Sequence, residues 1–195
     1  MKKKSRSHVP KATLPLIVAE TAAAPIAAPF RSQALNELSE HDFETLLEQK
    51  DAFDEFWNGE NRRLSNRYKI AERDGKQLVT DRLTALTWQR AGSPHPLSFA
   101  EAEQYVNDLN KQRFAGHRTW RLPILDEAMS LMMPYKDDGA LYIDSVFDRT
   151  QQSIWTEEET FEGARWVVTF SVGNYYVPVA SHYYVRAVRG EYWTP

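Results

Sequence analysis

The sequence predicts an α+β fold on three observations. Two segments carry apolar residues at helical spacing, and each begins with a capping-box pattern, Ser39 with Asp42 and Ser98 with Glu101. Between residues 120 and 127 the chain passes from a short apolar alternation through Pro123 to the acids Asp126 and Glu127, which reads as a strand end followed by a helix start. Residues 154–188 then alternate bulky and polar side chains around turn signals, as a strand meander does. Two helices between an early strand pair and a late meander, with a helical arm in front, make an α+β arrangement with a mostly antiparallel sheet.

Taken in order, residues 1–33 are rich in Ala and Pro and carry Lys2, Lys3, Lys4, Arg6, Lys11 and Arg31 against Glu20 alone. They read as a flexible basic leader. A secretory signal needs an apolar run after its basic start, and Pro15 and Glu20 interrupt that run. The balance favours a disordered tail over a cleaved signal and a cytoplasmic location over secretion, while the compartment itself stays open.

Residues 34–73 are expected to form an amphipathic helical arm, with Phe43, Leu46 and Leu47 on one face and Phe53, Phe56, Trp57 and Leu64 on a second run. The arm either packs on its own domain or, over 34–70, offers a surface for a homo-oligomer or partner. The main domain is expected over 74–195. Asp74-Gly75 is a turn, and Leu78–Asp81 and Leu86–Gln89 are two strands joined through 82–85. A helix follows from Ser98 to about Gln112, with Phe99, Ala102, Tyr105, Val106 and Leu109 on its apolar stripe. A second helix is expected from Pro123 to Met133, ended by Pro134. Residues 141–147 look extended or irregular. Ile154–Thr156, Trp166–Phe170, Tyr175–Val179 and Tyr183–Val188 are strands, with a turn at Gly173-Asn174.

The composition excludes several chemistries. The chain has no cysteine, which removes disulfides, thiolate metal sites and cysteine nucleophiles. The net charge of −3, with the basic residues of 1–33 set aside, leaves an acidic remainder and argues against nucleic acid as a partner. No stretch has the ~20 apolar residues of a membrane span. The five histidines are dispersed, and none falls in a metal motif such as H-E-x-x-H. His182 with Asp148 or Ser181 is the nearest approach to a catalytic set, and the expectation is that the chain is not an enzyme. Candidate calcium ligands are Asp137, Asp138, Asp144 and Glu157–Glu159, but a hard cation needs roughly six to eight converging oxygens. A solvated acidic loop is the simpler reading, so no cofactor is assigned.

The ordered blocks Val79-Thr80-Asp81, Thr84–Gln89, Phe114-Ala115-Gly116, Trp120–Pro123, Glu127, Ile154-Trp155-Thr156 and Tyr184–Arg189 resemble the bacterial collagen-like protein C-terminal (Lcl C-terminal) domain family. The resemblance covers about residues 78–190 and departs at Ala85, where the family usually has Gly, so a differently shaped turn is expected there. It implies a C-type-lectin-like fold, related to the formylglycine-generating enzyme and to the variable proteins of diversity-generating retroelements. It also implies a surface-recognition scaffold more than a chemistry. The named member binds sulfated glycans, a ligand that the acidic balance of this chain does not suit.

The resulting expectation is a ligand-recognition module for a protein or glycan, and a retroelement-diversified variable protein is one form of it. The alternative is an assembly protein that works through its helical arm. The binding loops are expected to be Asn174, Tyr175, Tyr176, Ser181 and His182, with Glu158 beside them, because Tyr, Asn and Ser give large adaptable contacts. Tyr183 and Tyr184 fit a strand as well as a site. Trp88, Trp120, Trp155 and Trp166 are expected in the core, and Arg121 and Arg186 in internal ion pairs, with Glu127 an acceptor.

Overall fold

The capping box at Ser39 closes as its spacing predicts. In the computed structural model, which describes residues 38–50, 54–55, 68–137, 139–160, 163–176 and 181–190, Ser39 Oγ accepts the Asp42 N–H at 3.1 Å and Asp42 Oδ2 accepts the Ser39 N–H at 3.2 Å. Helix α1 then runs Glu40–Lys50. Its apolar face is consumed within the chain: Phe43, Leu46 and Leu47 are buried, and the Phe43 ring lies 4.7 Å from Trp166 and 5.6 Å from Tyr175. The backbone joins too, with Leu38 N–H donating to the Glu159 carbonyl at 2.9 Å. The leader 1–33, residues 34–37 and the second run of Phe53, Phe56, Trp57 and Leu64 lie outside the described residues.

The end of the expected arm is corrected. Tyr68–Arg73 is strand β1, paired antiparallel with β2, Lys76–Asp81. Asp74 and Gly75 both adopt positive φ, 52° and 69°, the conformation that lets a two-residue turn follow the twist of its strands. An Asp-Gly turn of this kind demands a strand on each side, so the segment before it cannot continue as helix.

Strand β2 continues into β3, Thr87–Gln89, through a turn in which the Asp81 carboxylate accepts the Leu83 N–H at 2.8 Å and the Thr84 hydroxyl at 2.9 Å. Ala85 sits in this turn at φ 60°, the left-handed region that glycine favours. The alanine therefore carries the strain of a conformation that suits glycine. Ala85 is exposed, so Ala85→Gly removes the strain and deletes no contact in the core. Relief of the left-handed penalty set against the extra freedom of an unfolded glycine predicts a gain of about 0.5 kcal/mol, or roughly 1–2 °C in melting temperature. An unchanged or lower melting temperature would refute this account of the turn.

Helix α2, Phe99–Lys111, has the full capping box: Ser98 Oγ accepts the Glu101 N–H and Glu101 Oε2 accepts the Ser98 N–H at 2.8 Å. Ala102, Val106 and Leu109 are its buried stripe. A single 3-10 turn, Phe114–Gly116, brings the chain to Trp120. Asn110 clamps that residue, donating to its carbonyl and accepting its N–H, both at 2.8 Å.

The second expected helix is much shorter than its sequence pattern. Helix α3 is only Leu125–Met129, and Met132–Asp137 is strand β4, which pairs with β5, Leu141–Ile143. Pro134 lies inside a strand rather than ending a helix. The acids at the start of α3 cap its amides, Glu127 at Ile124 N–H (3.0 Å) and, from another strand, Glu158 at Leu125 N–H (2.6 Å). After one and a half turns, Leu131 and Met132 are both buried, which a continued amphipathic helix would not require.

Strands β6 (Ser153–Glu159), β7 (Arg165–Thr169) and β8 (Asn174–Tyr176) form an antiparallel sheet in that order. Asn174 belongs to β8 and not to the turn. The expected strand at 183–188 is mostly irregular. Tyr183 pairs with Leu97, Tyr184 with Ile154, and only β9, Val188–Arg189, joins the first sheet, giving the order β1-β2-β3-β9. The backbone here divides its hydrogen bonds among several segments, with Ser93 N–H donating to the Val185 carbonyl and Gln89 N–H to that of Ala187. One straight ladder would leave those groups unmet.

Two cores result. The strands between them are buried on both sides, so neighbours in sequence face opposite cores: Val79, Ile154, Trp166 and Val168 lie in one with α1 and α3, and Leu78, Trp155 and Val167 in the other with α2. Trp88, Trp120, Trp155 and Trp166 are all buried, as expected. The architecture is α+β.

Candidate functional site

The residues expected to bind ligand are not brought together. Tyr175 is only 4% exposed; its ring meets Phe43 of α1 and its N–H donates to Asp54 Oδ2 at 3.3 Å. Glu158 is fully buried, capping α3. Both expectations of exposure are corrected, and the cause is shared: α1 and α3 pack over the side of the β6-β7-β8 sheet that a bare meander would leave open. Asn174 is half-buried, and its shielded Oδ1 has no hydrogen-bond partner among the described residues. The Tyr176 backbone pairs with Val167, and its side chain lies outside the described residues, as does Ala180.

Ser181 and His182 are exposed as expected, joined by an Oγ to Nδ1 contact of 2.8 Å. They stand apart from Tyr175, beside the Leu97 and Tyr183 bridge at the start of α2. A hydrogen bond between exposed chain neighbours does not make a desolvated, oriented nucleophile.

A different constellation forms beside the β1–β2 turn. A cleft of about 340 Å³ is lined by Lys76, Gln77, Gln89, Arg90, Tyr105, Phe114 and Asp148, among others. Its polar groups are fixed by one another and by the backbone. Gln89 Nε2 donates to the Tyr105 hydroxyl at 3.0 Å while Gln89 Oε1 accepts the Ala187 N–H at 3.0 Å. Arg90 Nη1 donates to Gln77 Oε1 at 2.6 Å and its Nε to the Val146 carbonyl at 2.8 Å. Asp148 Oδ1 accepts the Thr150 N–H at 2.9 Å, and Thr150 foremost, then Arg186 and Arg90, holds the carboxyl below its usual range. Burial pushes the Tyr105 phenol up, so it stays protonated at neutral pH. On the rim, the Lys76 ammonium lies 5.8 Å from the Phe114 ring centre.

Arg186 holds this wall from behind. It is fully buried, and its guanidinium donates to the carbonyls of Gln89, Arg90 and Asp148 and to Gln151 Oε1, while stacking 4.9 Å from the Phe147 ring centre. The expectation of an internal ion pair is corrected: its hydrogen bonds go to neutral oxygens. Burial depresses it to about 9, which still leaves it charged at pH 7. Gly92 is needed nearby, because a Cβ there would strike the Val185 carbonyl.

Nearly all of this machinery lies between β2 and β9. The family described as the Lcl C-terminal domain matches residues 77–189, more than half of the chain. The chain belongs to the Lcl C-terminal domain family. No curated protein and no solved structure matches it. Within the Lcl C-terminal domain, the match begins inside β2 and ends with β9, so α1 and β1 are packed onto it from outside.

Arg121 makes the other expected internal contact, a bidentate ion pair with Glu127 at 2.6 Å per bond. The calcium candidates do not converge. Asp137 Oδ2 accepts the Ser145 N–H, Asp144 Oδ1 accepts that of Val146, and Asp138 lies outside the described residues. Among the described residues no group of three or more His, Asp or Glu side chains is placed to hold a metal ion, and no helix is long and apolar enough to cross a membrane.

Sequence reasoning missed the cleft because its residues come from five separate segments. A usable signal was present: Gln89 is a polar residue at the end of the apolar block Leu86–Gln89, and a buried amide in such a place needs partners.

Proposed function

We propose that the chain is a non-enzymatic ligand-recognition module that takes a protein or glycan ligand in the cleft beside the β1–β2 turn. The observation that carries this reading is the preorganised polar wall. Gln77, Gln89, Arg90 and Tyr105 are oriented by bonds within the protein, so a ligand that meets them orders little further. Phe114 and Tyr105 add flat apolar surface beside these donors and acceptors, the combination that suits a sugar ring or a peptide side chain. Membership of the Lcl C-terminal domain family supports a ligand-binding role. The resemblance to C-type-lectin-like recognition scaffolds supports it as well. The apolar face of α1 is spent inside its own chain, which gives the arm-driven assembly reading no support from these residues.

The test is a screen of the full chain against arrayed neutral oligosaccharides and a peptide library, with the strongest hit measured by calorimetry. Tyr105→Ala and Gln77→Ala should each weaken that hit about ten-fold or more. Gln77 is exposed, so its variant should melt like the parent. Unaltered affinity in both variants would place the ligand elsewhere.

A further inference from the structure

We propose that Arg73, His117 and Arg189 form a receptor for a single oxyanion, a carboxylate or phosphate group, at the junction of β1, the 3-10 turn and β9. Three observations converge. Arg73 Nη1 lies 3.3 Å from His117 Nε2. A guanidinium only donates, so Nε2 accepts and the imidazole is neutral with its proton on Nδ1. The guanidinium is seated against the backbone, since a Cβ on Gly116, at φ 77°, would come within 2.9 Å of it. Arg189, in β9, acts on the same imidazole through its charge, and its shielded Nε has no hydrogen-bond partner among the described residues.

Among the described residues no carboxylate pairs with these charges. Burial first, then Arg189 and Arg73, holds His117 below its ordinary range, and among the described residues no carboxylate is one of the groups acting on it. The Trp120 ring lies 6.5 Å from the His117 ring between centres. Elsewhere Arg121 pairs with Glu127 and Arg165 with Glu159, whereas Arg73 and Arg189 have no carboxylate partner among the described residues. An acidic chain that places two guanidiniums and an imidazole here, with no counter-charge among the described residues, has a place where an oxyanion relieves repulsion and meets unused donors.

Proton uptake follows from the same geometry. With an oxyanion present, the charged imidazole is favoured and His117 Nε2 turns from acceptor to donor, the proton coming from solvent. Affinity therefore rises as pH falls through the imidazole range. The site does not rest on the cleft reading, because none of its three side chains lines the cleft.

The experiment follows the His117 ring resonances of the full chain by NMR. Sodium phosphate and sodium acetate are titrated separately, with ionic strength held constant by chloride. Saturable shifts with an upward move of the His117 midpoint support the site, and a response to one anion alone identifies that group as the preferred source. Arg73→Gln, on an exposed strand, should weaken binding about ten-fold while the protein stays folded. Tyr105→Ala should leave it unchanged while weakening the cleft ligand, so cleft-ligand affinity unaltered by Tyr105→Ala and Gln77→Ala beside intact oxyanion binding overturns only the cleft. No saturable shift with either anion beyond that of chloride, or equal binding by Arg73→Gln, overturns the receptor.

Discussion

Arg186→Met is expected to destabilise the protein by on the order of 5 kcal/mol, a third or more of the roughly 5–15 kcal/mol that holds an ordinary domain folded. The guanidinium is fully buried and donates to three backbone carbonyls and a side-chain amide oxygen. Methionine fills much of the volume but offers no donor. Each stranded acceptor costs about 1–3 kcal/mol unless water enters, and water would have to pass Phe147, which is 1% exposed. Arg186→Lys keeps the charge yet loses the planar fork, so it meets fewer acceptors and should lie between the two, at roughly 2–3 kcal/mol. Urea midpoints of the three proteins test the order. A lysine variant equal to the parent would mean that charge, not the fork, is what the site requires. A methionine variant equal to the parent would mean that the carbonyls find other donors at little cost. Because Gln89, Arg90 and Asp148, whose carbonyls Arg186 holds, line the cleft, the lysine variant should also bind cleft ligands more weakly than its stability loss alone explains.

The same residues show how far the sequence reaches. Local chemistry was legible wherever one segment contains all the partners. Ser98 and Glu101 cap α2 and Asp74-Gly75 turns β1 into β2, because those bonds span a few residues and depend on residue type alone. The pairing of Arg121 with Glu127 was legible for the same reason, being six residues apart. What the sequence did not reveal was which of two apolar faces each strand turns to which core. Tyr175 reads as a loop residue until Phe43, from more than a hundred residues earlier, is known to cover it. Glu158 reads as a surface acid until α3 is known to begin over it. The expected helix was too long because Ala128, Leu131 and Met132 follow one another at helical spacing, and tertiary pairing of Met132 with Ile143 of β5 turned the chain into a strand instead. The cleft was missed for the converse reason: apart from the polar Gln89 closing an apolar block, its residues Gln77, Tyr105 and Asp148 carry no motif and acquire meaning only when folding brings them together.

Glu127→Ala is expected to cost about 3–5 kcal/mol, the range for removing one partner of a buried ion pair. Glu127 is 2% exposed and makes three bonds at once: Oε1 and Oε2 accept from Arg121 Nη2 and Nη1 at 2.6 Å each, and Oε2 also accepts the Ile124 N–H at 3.0 Å. Alanine leaves a guanidinium with 15% side-chain exposure beside a helix start that has lost its cap. Glu127→Gln keeps an oxygen for Ile124 but points an amide donor at the guanidinium, so it should lose about 2–3 kcal/mol. The pair also joins distant parts of the fold. Arg121 exchanges both backbone bonds with Val188 at 3.0 Å, so its tie to Glu127 fastens β9 to α3. A double-mutant cycle separates the ion pair from the cap. If the pair dominates, Arg121→Met with Glu127→Leu should lose much less than the sum of the single variants, because no charge is left buried alone. If the losses simply add, the stability lies in the Ile124 cap and the Val188 bridge, and the bidentate contact serves to orient them.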